Sequence, residues 1–161
     1  MSHYKTTLHD EAATQALGKS LAHTLVPGLV VYLHGDLGAG KTALTRALLH
    51  AAGYQGNVKS PTYTLAEPYQ IPLADQSIKV MHFDLYRMTS AEEFLEAGCR
   101  EELNDSNICI VEWPEKADGF LPPPDLHIHL SIAGNGRAVE IQALTNKGES
   151  SLARLKFAPN L

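Results

Sequence analysis

The chain has 161 residues, 44% of them hydrophobic, and a formal net charge of −5. That length suits one domain with its own core, and the acidic balance excludes a general nucleic-acid clamp, which needs a basic face to displace counterions. Residues Met1 to Thr7 hold no apolar signal core and no apolar run approaches a membrane span, so a cytoplasmic protein without membrane contact is expected.

Asp10 to Leu25 reads as an amphipathic helix, with Ala13, Leu17, Leu21 and Leu25 at helical spacing and Pro27-Gly28 as its stop. Its apolar face is expected on a sheet. Thr14 and nearby residues could also approach a bound nucleotide, although nothing local demands it. An apolar strand, Leu29 to His34, then runs into Gly35-Asp36-Leu37-Gly38-Ala39-Gly40-Lys41-Thr42. This segment fits the G-x-x-x-x-G-K-[ST] phosphate loop, and the helix former Ala43 to Leu49 stands directly behind it. Lacking Cβ atoms, Gly35, Gly38 and Gly40 let successive N–H groups turn toward phosphate oxygens. The helix behind adds the positive end of its dipole. In this pattern Lys41 reaches the β- and γ-phosphates and the Thr42 hydroxyl ligates Mg²⁺. A chance match arises in only roughly a few per thousand chains this long.

The helix is expected to run to about Ala52, with Gly53 past its end. Ser60-Pro61-Thr62-Tyr63-Thr64 follows, stiffened by Pro61. Its threonines either form a hydroxyl-bearing loop that orders around Mg²⁺ and the γ-phosphate or begin a strand. Thr62 to Ile71 and Ser77 to Phe83 read as an antiparallel hairpin around Pro72 to Gln76. Asp84, at the end of the second strand, is placed to hold Mg²⁺ directly or through water, or else caps the strand. Arg87 is available to phosphate, a partner protein or solvent. Ser90-Ala91-Glu92-Glu93 is a capping box that predicts a helix to Gly98, and Arg100 to Leu103 a shorter helical piece.

Asn107 to Val111 reads as a buried parallel strand ending in Glu112. An acid beside an apolar core calls for a cation, or for a water held for attack. Trp113, the sole tryptophan, either lines the nucleotide pocket or seals the core. Past the rigid connector Pro122-Pro123-Pro124, Asp125 to Ile132 and Arg137 to Leu144 form a hairpin around Gly134-Asn135-Gly136. His127 and His129 share one face of that strand. With no third ligand nearby, solvated or packed rings are expected rather than a metal site. Asn146-Lys147-Gly148-Glu149 has Glu where a guanine-reading N-K-x-D motif has Asp, so it reads as a polar turn before a loosely held helical tail, 150–161. Cys99 and Cys109 are expected as reduced thiols with no disulfide. These elements predict one α/β domain over 1–161, P-loop NTPase-like, with a mixed, mostly parallel sheet flanked by helices and carrying antiparallel hairpins.

Taken together, Gly35 to Thr42, Ser60-Pro61-Thr62-Tyr63, His82-Phe83-Asp84-Leu85-Tyr86-Arg87 and Val111-Glu112-Trp113-Pro114-Glu115 resemble, in order and spacing, the TsaE (YjeE-type) family of small bacterial ATPases. The resemblance covers about 100 residues, and its D-L-Y-R and E-W-P-E pieces discriminate far better than the phosphate loop. It implies an ATP-binding, Mg²⁺-dependent ATPase needed for threonylcarbamoyladenosine beside the tRNA anticodon. Such a subunit does not transfer the threonylcarbamoyl group; it binds a complex of TsaD and TsaB, so tRNA is involved indirectly. Carried over, Gly38 to Lys41 cradle the phosphates and Thr42 holds Mg²⁺. Glu112 ligates Mg²⁺ through water or positions the attacking water, Asp84 sits in the magnesium shell and Thr62 is the switch-like hydroxyl. Two rival readings are a small-molecule kinase, whose lid would want arginines that are scattered here, and a nucleotide-gated binding module with incidental hydrolysis.

Overall fold

The protein is described by a computed structural model over residues 2–156. Along the chain come β1 (His3–Leu8), α1 (Glu11–Ala22), β2 (Val30–His34), α2 (Lys41–Ala51), β3 (Ala66–Leu73), β4 (Gln76–Asp84), α3 (Glu92–Glu96), β5 (Ile108–Glu112), β6 (Leu126–Ala133), β7 (Gly136–Ala143) and α4 (Asn146–Lys156). Two 3₁₀ turns, Cys99–Glu102 and Pro114–Ala117, flank β5. The strands form one sheet in the order β1-β7-β6-β2-β5-β4-β3. The central neighbours β6, β2, β5 and β4 are all parallel, and only β7 and β3 run against the others.

Burial explains which strands sit where. Every residue of β5 is buried, as an apolar strand covered on both faces must be. β3 carries Pro68 and Pro72, which cannot donate to a ladder, and accordingly lies at the sheet edge. On one face, alternate residues Val31, Leu33, Ile110, Leu126 and Ile128 pack with Leu17 and Leu21 of α1 and Leu44 and Leu48 of α2. α1 in turn lies tightly on α2: a Cβ at Gly18 would stand 2.5 Å from that of Ala47. This contact seats α2, and therefore the loop that opens it.

Several boundaries differ from expectation. β1 was not expected; in His-Tyr-Lys-Thr-Thr-Leu only Tyr4 and Leu8 are apolar, and pairing with β7 at the edge supplies the order. β3 begins at Ala66 and not at Thr62, because Leu65 N–H closes a turn onto Pro61 O at 2.9 Å. The hairpin turn is Ala74-Asp75 alone, both at positive φ, as a two-residue I′ turn requires. No side chain caps α3, so the capping box does not form. Glu93 instead accepts from the Thr89 hydroxyl at 2.6 Å and from Thr89 N–H at 3.3 Å.

The tail expected to be a polar turn and a loose helix is α4, which buries Leu152 and Leu155 completely or nearly so. Ser151 and Arg154 donate to the Thr24 carbonyl at the end of α1. Residues 157–161 of that expected tail lie outside the described residues. α4 is joined to the sheet by buried Asp125, whose carboxylate accepts from Val30 N–H at 2.8 Å and from the Thr145 hydroxyl at 2.7 Å. No helix among the described residues is long and apolar enough to cross a membrane.

Cys99 and Cys109 are free, buried thiols, and burial pushes Cys109 up to about 12. Because the thiolate is the reactive form, Ellman's reagent should leave Cys109 untouched at neutral pH and titrate it only on unfolding. Rapid reaction of Cys109 in the folded protein contradicts this packing.

Candidate functional site

The site starts where β2 stops. Between His34 and Lys41 the backbone turns through Gly38 and Gly40 at φ +83° and +102°, and Gly40 is the left-handed residue that opens α2. Gly35 is needed for another reason: a Cβ there would stand 2.8 Å from the Leu130 carbonyl and 3.1 Å from Ala39 Cβ. Arg137, from β7, reaches across and donates to the carbonyls of Ala39 at 3.0 Å and Gly38 at 3.2 Å. Arg137 thus answers two loop carbonyls, and Ala39 N–H is closed onto Asp36 O at 3.0 Å; the start of α2 presents its unpaired N–H groups beside the loop, as an anion site requires.

Lys41, the first residue of α2, is only 6% exposed. Its ammonium donates to the Gly35 carbonyl at 2.5 Å, lies 3.6 Å from Glu112 Oε1 and sits 4.4 Å above the Trp113 ring. An ammonium taken out of water needs such compensation, and Glu112 and Trp113 reach it from the end of β5, the strand beside β2. Leu33, His34, Gly35, Asp36, Lys41, Trp113 and Glu115 line an open pocket of about 180 Å³ here. Trp113 itself holds φ +57°, an unusual backbone for a bulky residue, and aims its ring at both Lys41 and Tyr86.

Asp84 pairs in register with Glu112 across β4 and β5, so two carboxylates end adjacent parallel strands. Asp84 accepts from Tyr86 N–H at 3.1 Å and from the Thr62 hydroxyl at 3.4 Å, and that hydroxyl lies 2.6 Å from Ser60 Oγ. Of the two readings of Thr62, the structure has a turn and not a strand. Thr42 lies half-buried in the first turn of α2. Asp36 and Leu37 are exposed on the loop, and Ala39 is buried beneath it. Thr14 stands apart from these residues, in a surface groove between α1 and α2 with Glu11, Ala43 and Arg46. Arg87 lies over the exposed Tyr63 ring at 4.6 Å.

Two residues of this site had no assigned role in the sequence. His82 is fully buried and its Nε2 donates to Glu112 Oε2 at 2.6 Å, which holds one carboxylate oxygen while the other faces Lys41. Its position two before Asp84, hence on the same strand face, was a usable signal. Arg137 is about a hundred residues from the loop it ties, and no local pattern reports such a contact.

On the opposite sheet face a third imidazole joins His127 and His129, against the expectation that none was near. His34 Nε2 lies 2.6 Å from His127 Nδ1, and the His34 and His129 rings stack at 4.6 Å and 12°. Burial, with the neighbouring His127, His129 and Lys41, lowers the His34 pKa to about 4; burial also lowers that of His127.

A strand–loop–helix with its lysine, set on a largely parallel sheet, defines a P-loop NTPase-like fold. The crystal structure of Bacillus subtilis YdiB matches it with a TM-score of 0.76 at 28% identity, over 96% of this chain and 95% of that one. The family model described as "Threonylcarbamoyl adenosine biosynthesis protein TsaE" matches residues 8–139. The Haemophilus influenzae tRNA threonylcarbamoyladenosine biosynthesis protein TsaE is 42% identical over 89% of this chain and 92% of its own length. Its Bacillus subtilis counterpart is 34% identical over 92% of this chain and 90% of its own. The chain belongs to the TsaE family of tRNA threonylcarbamoyladenosine biosynthesis proteins.

If His82 holds Glu112 by that one bond, His82→Leu leaves a buried carboxylate short of a donor and should cost about 1–3 kcal/mol in urea unfolding. His82→Gln, which keeps an N–H within reach, should recover part of the loss. Equal stability of His82→Leu and the parent protein contradicts the assignment.

Proposed function

We propose that this chain binds ATP with Mg²⁺ and hydrolyses it in the cytoplasm as the energy-using subunit of threonylcarbamoyladenosine formation. In this reading it acts on a TsaD–TsaB complex and meets tRNA only through that complex. The observation that carries the reading is a buried Lys41 at the mouth of a glycine loop, held against Glu112.

The residues present fit such a ligand. A Cβ at Gly38 would meet nothing within 4 Å, so the loop surface there is open. Thr42, Asp84 and Glu112 offer the hard oxygen donors that Mg²⁺ takes, and bound Mg²⁺ would neutralise charge on the phosphates. Lys41 exchanges the Gly35 carbonyl for phosphate oxygens. Glu112, clamped by His82 through one oxygen, keeps the other for a water in the magnesium shell or for the attacking water. Thr62, already beside Asp84, is the hydroxyl that the Ser60–Thr64 turn would bring to the γ-phosphate. Trp113 shields one side of the lysine from solvent. Water attacks the γ-phosphorus, and the bond to the bridging oxygen of ADP breaks.

Phosphoryl transfer asks a protein mainly for positioning and charge neutralisation. Both nearby arginines are occupied, Arg87 on Tyr63 and Arg137 on the loop carbonyls. Hydrolysis by the isolated chain should therefore be slow, and ordering of the Thr62 turn by the partner complex should speed it. The test is ATP turnover with and without TsaB, TsaD and tRNA. Stimulation is expected. Lys41→Ala should lose nucleotide binding, while Glu112→Gln should bind but lose about 10²–10⁴-fold in turnover. Equal turnover with and without the partners, or unimpaired turnover by Glu112→Gln, overturns the reading.

A further inference from the structure

We propose that His34, His127 and His129 form a binding site for a borderline divalent transition-metal ion, best matched by Zn²⁺, with three imidazole ligands and an open fourth position. The parallel ladder sets His34 opposite His129, and His127 lies two residues earlier on the same face of β6. Side chains of Val31, Leu33 and Ile128 fill the other face, so the three rings are turned to one side by strand geometry alone. Their ligating nitrogens all lie within 4.8 Å of one another.

Tetrahedral Zn²⁺ at 2.0–2.1 Å from each nitrogen asks for nitrogens separated by about 3.3 Å. The His34–His127 pair is already inside that spacing, at 2.6 Å, and the third nitrogen lies within 4.8 Å of both. Because the pair shares a contact between two ring nitrogens, at least one lone pair points into the common space. Imidazole selects zinc, copper or nickel over magnesium, so this site is chemically distinct from the oxygen donors around Lys41. Glu140 stands opposite His129 in the next strand, 3.2 Å from Lys5, where a carboxylate can take the outer N–H of a ligating ring. His34 also lines the Lys41 pocket, so an ion held here adds positive charge at the end of the strand that feeds the phosphate loop.

Binding of an ion by these three rings needs no nucleotide. Chelator-treated, full-length protein is titrated with ZnCl₂ alone by calorimetry, and histidine ring ¹⁵N–¹H spectra are recorded at each step. One Zn²⁺ per chain with a dissociation constant of about 1 μM or tighter is expected. Ring signals of His34, His127 and His129 should move while that of His82 stays. His129→Ala removes an exposed ring and so leaves the core intact; it should weaken binding more than about 100-fold. Absence of binding in that range, movement of other histidines in place of these three, or unchanged affinity in His129→Ala overturns the site and leaves the rings as stacked imidazoles on a sheet face.

Discussion

A cation buried at a helix start, with a single carboxylate to answer it, is the constraint on which this structure rests. Lys41 cannot be left unpaired out of water. Its partners, the Gly35 carbonyl, Glu112 and Trp113, come from the end of β2 and the end of β5. They meet only because β5 lies beside β2, although more than seventy residues of chain separate the two strands. Chain leaving β2 passes first to the β5 side and later to β6 on the other. The site therefore stands at the carboxyl ends of parallel strands where the order reverses, the place where open α/β sheets take ligands.

The charges around Lys41 form a short relay. His82 grips one oxygen of Glu112 and Lys41 faces the other, while Asp84 stands in register next to it with the Thr62 hydroxyl. Paired charges in a dry interior add little net stability, since desolvation offsets most of the attraction. Their value is positional. A lysine held by a carbonyl and a carboxylate is a lysine that can change partners, and an anion in the glycine loop is the partner that completes the geometry. Arg137 and Gly18 serve the same end from further away, the first by bracing the loop and the second by letting α1 and α2 meet.

Legibility in the sequence followed how local each determinant was. β2, the phosphate loop and α2 were readable because apolar run, glycine spacing and helix formers lie side by side, and β5 because five buried positions in a row leave few alternatives. β1 was hidden: an edge strand with polar residues on its open face has no pattern until β7 orders it. The capping box does not form because Glu93 finds a closer donor in Thr89, and the order of α4 has little local signal: two leucines are buried among polar neighbours, and Ser151 and Arg154 bond to Thr24 far away in the chain. Within the site, the loop is legible from its glycine and lysine spacing, and Asp84 and Glu112 from their places at the ends of apolar strands. Nothing local in the sequence demands a role for Thr14, which lines a groove between α1 and α2 with Glu11, Ala43 and Arg46. The meeting of His34 with His127 depends on parallel pairing across 93 residues, which no periodicity encodes.

Trp113 gives direct access to the central claim, being the only tryptophan and lying 4.4 Å from the Lys41 ammonium. Its emission should change saturably as Mg²⁺ and ATP are added, because Lys41 leaves the ring for the phosphates, and Lys41→Ala should abolish the change. Emission that stays constant through millimolar ATP, or a response that is identical in Lys41→Ala, contradicts the account.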